Sequence, residues 1–215
     1  MHRHADLRLI VITDRQLALP RDVLDIVRAA LRAGAPAIQL RDKQATAREL
    51  FEQATRLRTL TREHAALLFV NDRLDVALAA AADGVHLGPD DIPLLAARSA
   101  IPPEFLVGIS TDDPAAARQA EQHGAAYIGC GAVFGTTSKD VGGEAIGTAR
   151  LQRVVDAVGI PVVGIGGIDA SNVSAVAATG AAGAAVIGAV MNTNDVESTV
   201  LSLLKPFDDR HYPRT

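Results

Sequence analysis

One pattern recurs from end to end of the chain. A short apolar run rich in β-branched residues meets a polar or glycine loop, and a longer amphipathic segment follows. The apolar runs are Leu9–Ile12, Ala37–Leu40, Leu67–Val70, Gly84–Leu87, Phe105–Ile109, Ala126–Gly129, Pro161–Ile165 and Ala184–Ile187, and they predict eight strands. The segments between them predict helices over Arg21–Arg32, Thr46–His64, Leu74–Ala82, Ile92–Ser99, Pro114–His123, Thr148–Val158, Ala170–Thr179 and Asp195–Leu204. Within Thr46–His64, residues Leu50, Phe51, Ala54, Leu57 and Leu60 fall at helical spacing. Asp113 before Pro114, and Asp169 before Ala170 and Ser171, offer oxygens to the first free N–H groups of their helices. Gly34, Gly124 and Gly180 close others.

Eight βα units in a chain of 215 residues predict an α/β fold, a single (β/α)8 TIM barrel at the small end of that architecture. The structural rival, an open doubly wound sheet, has fewer strands and a glycine fingerprint after the first. Here the first strand runs into Thr13-Asp14-Arg15. No low-complexity linker divides the chain, so one domain is expected over 1–215. Residues 1–6 are expected as an N-terminal arm and residues 207–215, where periodicity is lost, as a flexible tail.

Composition removes several classes of function. Hydrophobic residues make up 48% of the chain, which excludes disorder as its overall state. A net charge of −4 lacks the basic field a nucleic acid needs, and 3% aromatics without Trp argue against base-stacking or sugar platforms. No apolar run approaches the ~18 residues that span a bilayer, so no membrane partner is expected. The polar N-terminus is too short to be a targeting segment. Cys130 is the sole cysteine, which forbids an intramolecular disulfide and fits a reducing cytoplasm.

In a barrel of this kind the loops after the strands share one face, and chemistry is sought there. After strand 2 come Gln39-Leu40-Arg41-Asp42-Lys43, whose alternation puts an amide and two cations, Gln39, Arg41 and Lys43, on one side. That suits an anion; a solvated loop with surface ion pairs is the alternative. Asp72 and Asp91 follow strands 3 and 4 and offer either helix caps or carboxylate ligands for one Mg2+. His86 within strand 4 reads as a buried, hydrogen-bonded core residue. Fourteen of the 18 glycines lie between Gly124 and Gly188, which marks where backbone can approach a ligand. Gly164-Ile165-Gly166-Gly167-Ile168 at the end of strand 7 and Ile187-Gly188-Ala189 at the end of strand 8 fit a phosphate site or tight turns. The long loop from Gly131 to Gly147 carries Thr136-Thr137-Ser138-Lys139. It reads as a mobile phosphate lid or as a rigid loop packed by Val133 and Phe134.

Together these blocks, with Asn71-Asp72-Arg73, Ala82-Asp83-Gly84-Val85-His86-Leu87-Gly88 and Gly108-Ile109-Ser110, resemble the thiamine phosphate synthase family across residues 7 to 205. The resemblance implies a transferase of thiamine biosynthesis. It joins 4-amino-2-methyl-5-hydroxymethylpyrimidine diphosphate to a thiazole phosphate (carboxythiazole or hydroxyethylthiazole phosphate), releases pyrophosphate, and needs Mg2+. It implies that Gln39, Leu40, Arg41, Asp42, Lys43, Asn71, Ser110 and Lys139 hold the pyrimidine diphosphate, with Arg41, Lys43, Ser110 and Lys139 catalytic. Asp72 and Asp91 hold the metal. Thr136, Thr137, Ser138, Gly167, Ile187 and Gly188 hold the thiazole phosphate. A homodimer stays open as the assembly.

Pro89, Asp112, Ala132 and Gly188 depart from the family's usual Gln, His, Pro and Ser. Two rivals follow: a thiazole tautomerase paralogue, which tends to carry a histidine where this chain has Ala132, and a non-catalytic barrel that binds a phosphorylated ligand. The intact 39–43 block argues against the first, and Asp72, Asp91 and Lys139 against the second.

Overall fold

The computed structural model describes residues 5–135 and 145–208. Eight parallel strands pair in chain order and β8 returns to β1, so the sheet is closed. The strands are β1 Leu9–Ile12, β2 Ala37–Leu40, β3 Leu67–Asn71, β4 Gly84–Leu87, β5 Leu106–Ser110, β6 Tyr127–Gly131, β7 Val162–Ile165 and β8 Gly183–Val186. Around them lie α1 Arg15–Ala18, α2 Val23–Arg32, α3 Ala47–Glu63, α4 Leu74–Ala79 and α5 Leu94–Ser99. The ring continues with α6 Pro114–Gln122, α7 Gly147–Val155, α8 Val173–Ala178, α9 Gly188–Met191 and α10 Val196–Asp208. Every expected strand and helix is present, shifted by a few residues at some ends. The four-residue helices α1 and α9 lie outside the expected helical segments.

Local signals explain most boundaries. Thr46 and Glu49 close a reciprocal capping box at the start of α3. Asp113 accepts from the N–H groups of Ala115 and Ala116 and starts α6 behind Pro114. Asp169 behaves differently from expectation. Its carboxylate takes the Ser171 N–H at 2.8 Å inside a turn, and the helix begins only at Val173. The tail also begins later than expected. Phe207 is fully buried, α10 runs to Asp208, and Asp208 pairs with Arg8. Residues 209–215 lie outside the described residues.

Side chains inside the barrel alternate large and absent. A Cβ on Gly84 would stand 2.7 Å from the Phe69 ring, one on Gly108 2.2 Å from Tyr127, and one on Gly129 2.8 Å from His86. Gly84 and Gly108 sit on the strands next to Phe69 and Tyr127, and Gly129 lies across β5 from His86, so each missing side chain makes room for a ring. Phe69 and Tyr127 pack edge to face with centroids 5.4 Å apart. Part of the glycine enrichment expected at a ligand therefore serves core packing. Asp83 belongs to the scaffold too: it pairs with Arg58 at 2.6 Å and accepts the Leu68 N–H at 2.8 Å, locking α3 to the start of β4 and the edge of β3.

Candidate active site

A cavity of about 890 Å³ opens at the carboxyl ends of the strands. Residues Asn71, Ser110, Gly131 and Ile165, at the last positions of β3, β5, β6 and β7, reach its wall. That is the face on which enzymes of this architecture place their chemistry.

One side of the wall is polar. Lys43, Asp72 and Asp91, expected from the strand ends, line it, as do Asn71 and Ser110, which the resemblance singled out. Asp72 sits at φ 63°, a conformation Asp tolerates better than most residues, and its N–H is donated to the His86 carbonyl at 2.9 Å. Neither carboxylate caps a helix. The N-caps of α4 and α5 are Arg73 and Pro93, and neither helix has a side-chain cap bond. Asp91 Oδ2 instead accepts the Gly88 N–H at 2.7 Å, which fixes the loop after β4. Two carboxylates from neighbouring loops on a shared wall, with oxygen as the donor atom, fit a hard divalent cation that takes its remaining ligands from phosphate and water. Among the described residues no three His, Cys, Asp or Glu side chains are grouped closely enough to form a complete protein cage.

The 39–43 block divides. Lys43 reaches the cavity, whereas Gln39, Leu40, Arg41 and Asp42 are not among its lining residues. Leu40 is buried at 1% exposure, as its outward position on β2 requires. Gln39 points into the barrel, 3% exposed, and meets the Tyr127 phenol. Arg41 lies 3.5 Å from Asp14, with its Nε buried and without a hydrogen-bond partner. Asp42 lies 3.5 Å from Arg15. The expected common side of Gln39, Arg41 and Lys43 thus splits by depth: the amide sits below, the guanidinium beside α1, and the ammonium at the mouth.

The opposite side is glycine. Gly166, Gly167, Ile187 and Gly188 line it. Gly166 and Gly167 have φ of 96° and 61°, and a Cβ on Gly167 would come within 2.4 Å of the Gly135 carbonyl. Asn172 Nδ2 donates to the Gly167 carbonyl at 2.8 Å and pins this loop. Tight packing against the loop after β6 therefore accounts for both glycines as well as any ligand does. Gly188 opens α9, whose N-cap Ile187 supplies no side-chain cap. Thr136, Thr137, Ser138 and Lys139 fall outside the described residues, and the lid expectation falls there with them. Beside that gap, Val133 is buried and Phe134 packs on the core. The Ile146 and Gly147 N–H groups return to the Ala132 and Val133 carbonyls.

Two features were missed. His86 is a core residue, 8% exposed, as read, but it also lines the cavity and joins Tyr127 to Ser110. Its odd position in a strand of alternating inward residues was the available signal. Asp112, one of the departures, lines the cavity but is paired with Arg150 at 3.3 Å, and Arg150 Nε also donates to its carbonyl at 2.8 Å. Its charge is therefore balanced on the spot. Pro89, Ala132 and Gly188 line the same cavity.

Known proteins place this geometry. A family model described as thiamine monophosphate synthase matches residues 9–190. The chain is 47% identical to the thiamine-phosphate synthase of Natronomonas pharaonis, over 89% of this chain and 91% of that one. It is 46% identical to the thiamine-phosphate synthase of Moorella thermoacetica, over 91% and 93%. The structure superposes on the thiamine phosphate pyrophosphorylase from Pyrococcus furiosus with a TM-score of 0.86 and 45% identity, covering 95% of this chain and 96% of that one. With the barrel and nearly the whole chain matched, the protein belongs to the thiamine monophosphate synthase family.

Proposed function

We propose that the protein condenses 4-amino-2-methyl-5-hydroxymethylpyrimidine diphosphate with a thiazole phosphate to give thiamine phosphate and pyrophosphate. The observation that carries this reading is the division of one cavity, in a member of this family. Lys43, Asn71, Asp72, Asp91 and Ser110 face Gly167, Ile187 and Gly188 across a space large enough for two small phosphorylated molecules.

The reaction breaks the bond between the pyrimidine methylene carbon and the diphosphate oxygen, whose electron pair leaves with pyrophosphate. The aminopyrimidine carries the resulting cation, and the lone pair of the thiazole nitrogen forms the new C–N bond. The chain needs no strong nucleophile for this. Asp72 and Asp91 would hold Mg2+, which when bound supplies positive charge to the diphosphate oxygens. Lys43 adds a cation at the mouth, and Asn71 and Ser110 orient the polar edge of the pyrimidine. The uncapped start of α9 and the Gly167 loop would receive the thiazole phosphate, placing its ring in line with the forming cation. Cytoplasmic action agrees with the lone Cys130, buried and pushed up to about 12 by desolvation.

The test is to incubate purified protein with both substrates and Mg2+ and resolve the products. Thiamine phosphate and pyrophosphate should appear in equal amounts. A folded protein that forms neither would refute the assignment.

A further inference from the structure

Below the cavity, four inward side chains from four strands form a file: Gln39 on β2, Tyr127 on β6, His86 on β4 and Ser110 on β5. The Tyr127 hydroxyl lies 2.9 Å from His86 Nδ1, and His86 Nε2 lies 2.8 Å from Ser110 Oγ. The Gln39 side chain hydrogen-bonds to the phenol at the other end. The imidazole is held in place from two more directions. Its ring centroid is 5.4 Å from that of Tyr127, and Gly129 lacks the Cβ that would collide with its Cε1.

The protons of this file can run in one of two directions. Burial pushes the Tyr127 pKa far up, so the phenol keeps its single proton. If the Gln39 amide turns an N–H to the phenol oxygen, that oxygen accepts on its Gln39 side. The phenol proton then goes to His86 Nδ1. A neutral imidazole with Nδ1 accepting carries its proton on Nε2, and that proton is given to Ser110 Oγ. Ser110 has accepted one bond and keeps its own O–H, at the wall of the cavity it lines. In the opposite direction the Ser110 proton would be spent on His86, and the hydroxyl would present only lone pairs to an anion.

We propose that Tyr127 and His86 are positioning residues that hold the imidazole in its Nε2–H tautomer and so reserve the Ser110 proton for the departing diphosphate. A remaining lone pair on Ser110 Oγ suits the exocyclic amino group of the same substrate. The proposal rests on the reading above that the pyrimidine diphosphate lies against Ser110. It makes a core hydrogen-bond chain, readable as fold support alone, part of leaving-group stabilisation.

The direct test is long-range nitrogen–proton NMR of the His86 ring in the wild-type chain, assigned by the signal lost in His86→Gln. The expected result is a protonated Nε2 and a bare Nδ1. Tyr127→Phe keeps the ring's volume and removes only the donor. It should populate both tautomers and lower kcat about tenfold while the KM for the pyrimidine diphosphate stays within about twofold. His86→Gln, which can still donate from its amide to Ser110, should retain more activity than His86→Leu. A wild-type ring protonated on Nδ1 overturns the proposal without any variant, as does a folded Tyr127→Phe with wild-type tautomer and rate. A wild-type chain that shows the Nε2–H tautomer but turns over neither substrate overturns the functional reading and leaves the direction of the hydrogen bonds standing.

Discussion

Asp72, Asp91 and Lys43 were legible in the sequence because a closed barrel sends the ends of all its strands to one face, whereas Ser110 was singled out by the family resemblance. Any polar residue at such an end is a candidate before coordinates exist. Arg41 was less legible: the alternation rule gives its side but not its neighbour, and Asp14 from a different loop decides where the guanidinium goes. The same holds for Asp112, whose charge reads as a liability until Arg150 is found beside it. Arg150→Ala should leave that carboxylate facing an anionic ligand and raise the KM of a phosphorylated substrate about threefold. The effect is modest because both side chains are 39% exposed and solvent screens them. Asp112→Asn in the same background should restore the KM, and steady-state kinetics of the pair would check it. Cys130 gives a second residue-scale test. It is fully buried and its pKa is pushed up to about 12, so at pH 8 it holds its proton and is shielded from reagents. A thiol reagent should label it only after unfolding, which mass spectrometry with and without denaturant would show.

The elements themselves were almost all readable from hydrophobic period, and the exceptions are informative. The C-terminal helix was ended too early because Pro206 and Asp208 interrupt the pattern. Yet Val196, Val200, Leu203, Leu204 and Phe207 are buried at spacings that continue one helical face. That face packs α10 against α2, α8 and α9. Phe207→Ala should therefore cost about 3–5 kcal/mol, measured by urea unfolding, where a flexible tail residue would cost nothing. Asp83 shows the opposite confusion: it stands three residues before His86 in a block that resembles a functional motif, but its partners Arg58 and Leu68 are scaffold. Asp83→Ala should lower stability by about 2 kcal/mol and leave the KM values of the folded protein unchanged. Glycines carried both meanings at once. Position in the chain could not separate Gly129, which clears space for His86, from Gly188, which lines the ligand cavity.

At the scale of the whole molecule, the count of βα units fixed the architecture, because eight such units have one closed arrangement in which every strand finds two partners. Closure in turn sets residues more than a hundred positions apart, such as Asp72 and Gly188, around one cavity. The central claim is that the two sides of this cavity hold two different phosphorylated substrates at once and that Asp72 belongs to the diphosphate side. Initial rates of thiamine phosphate formation, with both substrates and Mg2+ varied, test it in the wild-type chain and in Asp72→Ala. The account predicts product with an equal release of pyrophosphate, none when the metal is chelated, and a folded Asp72→Ala protein slowed at least about 100-fold, with the KM for the thiazole phosphate within about threefold of wild type. Wild-type turnover by Asp72→Ala at an unchanged demand for Mg2+ would contradict it.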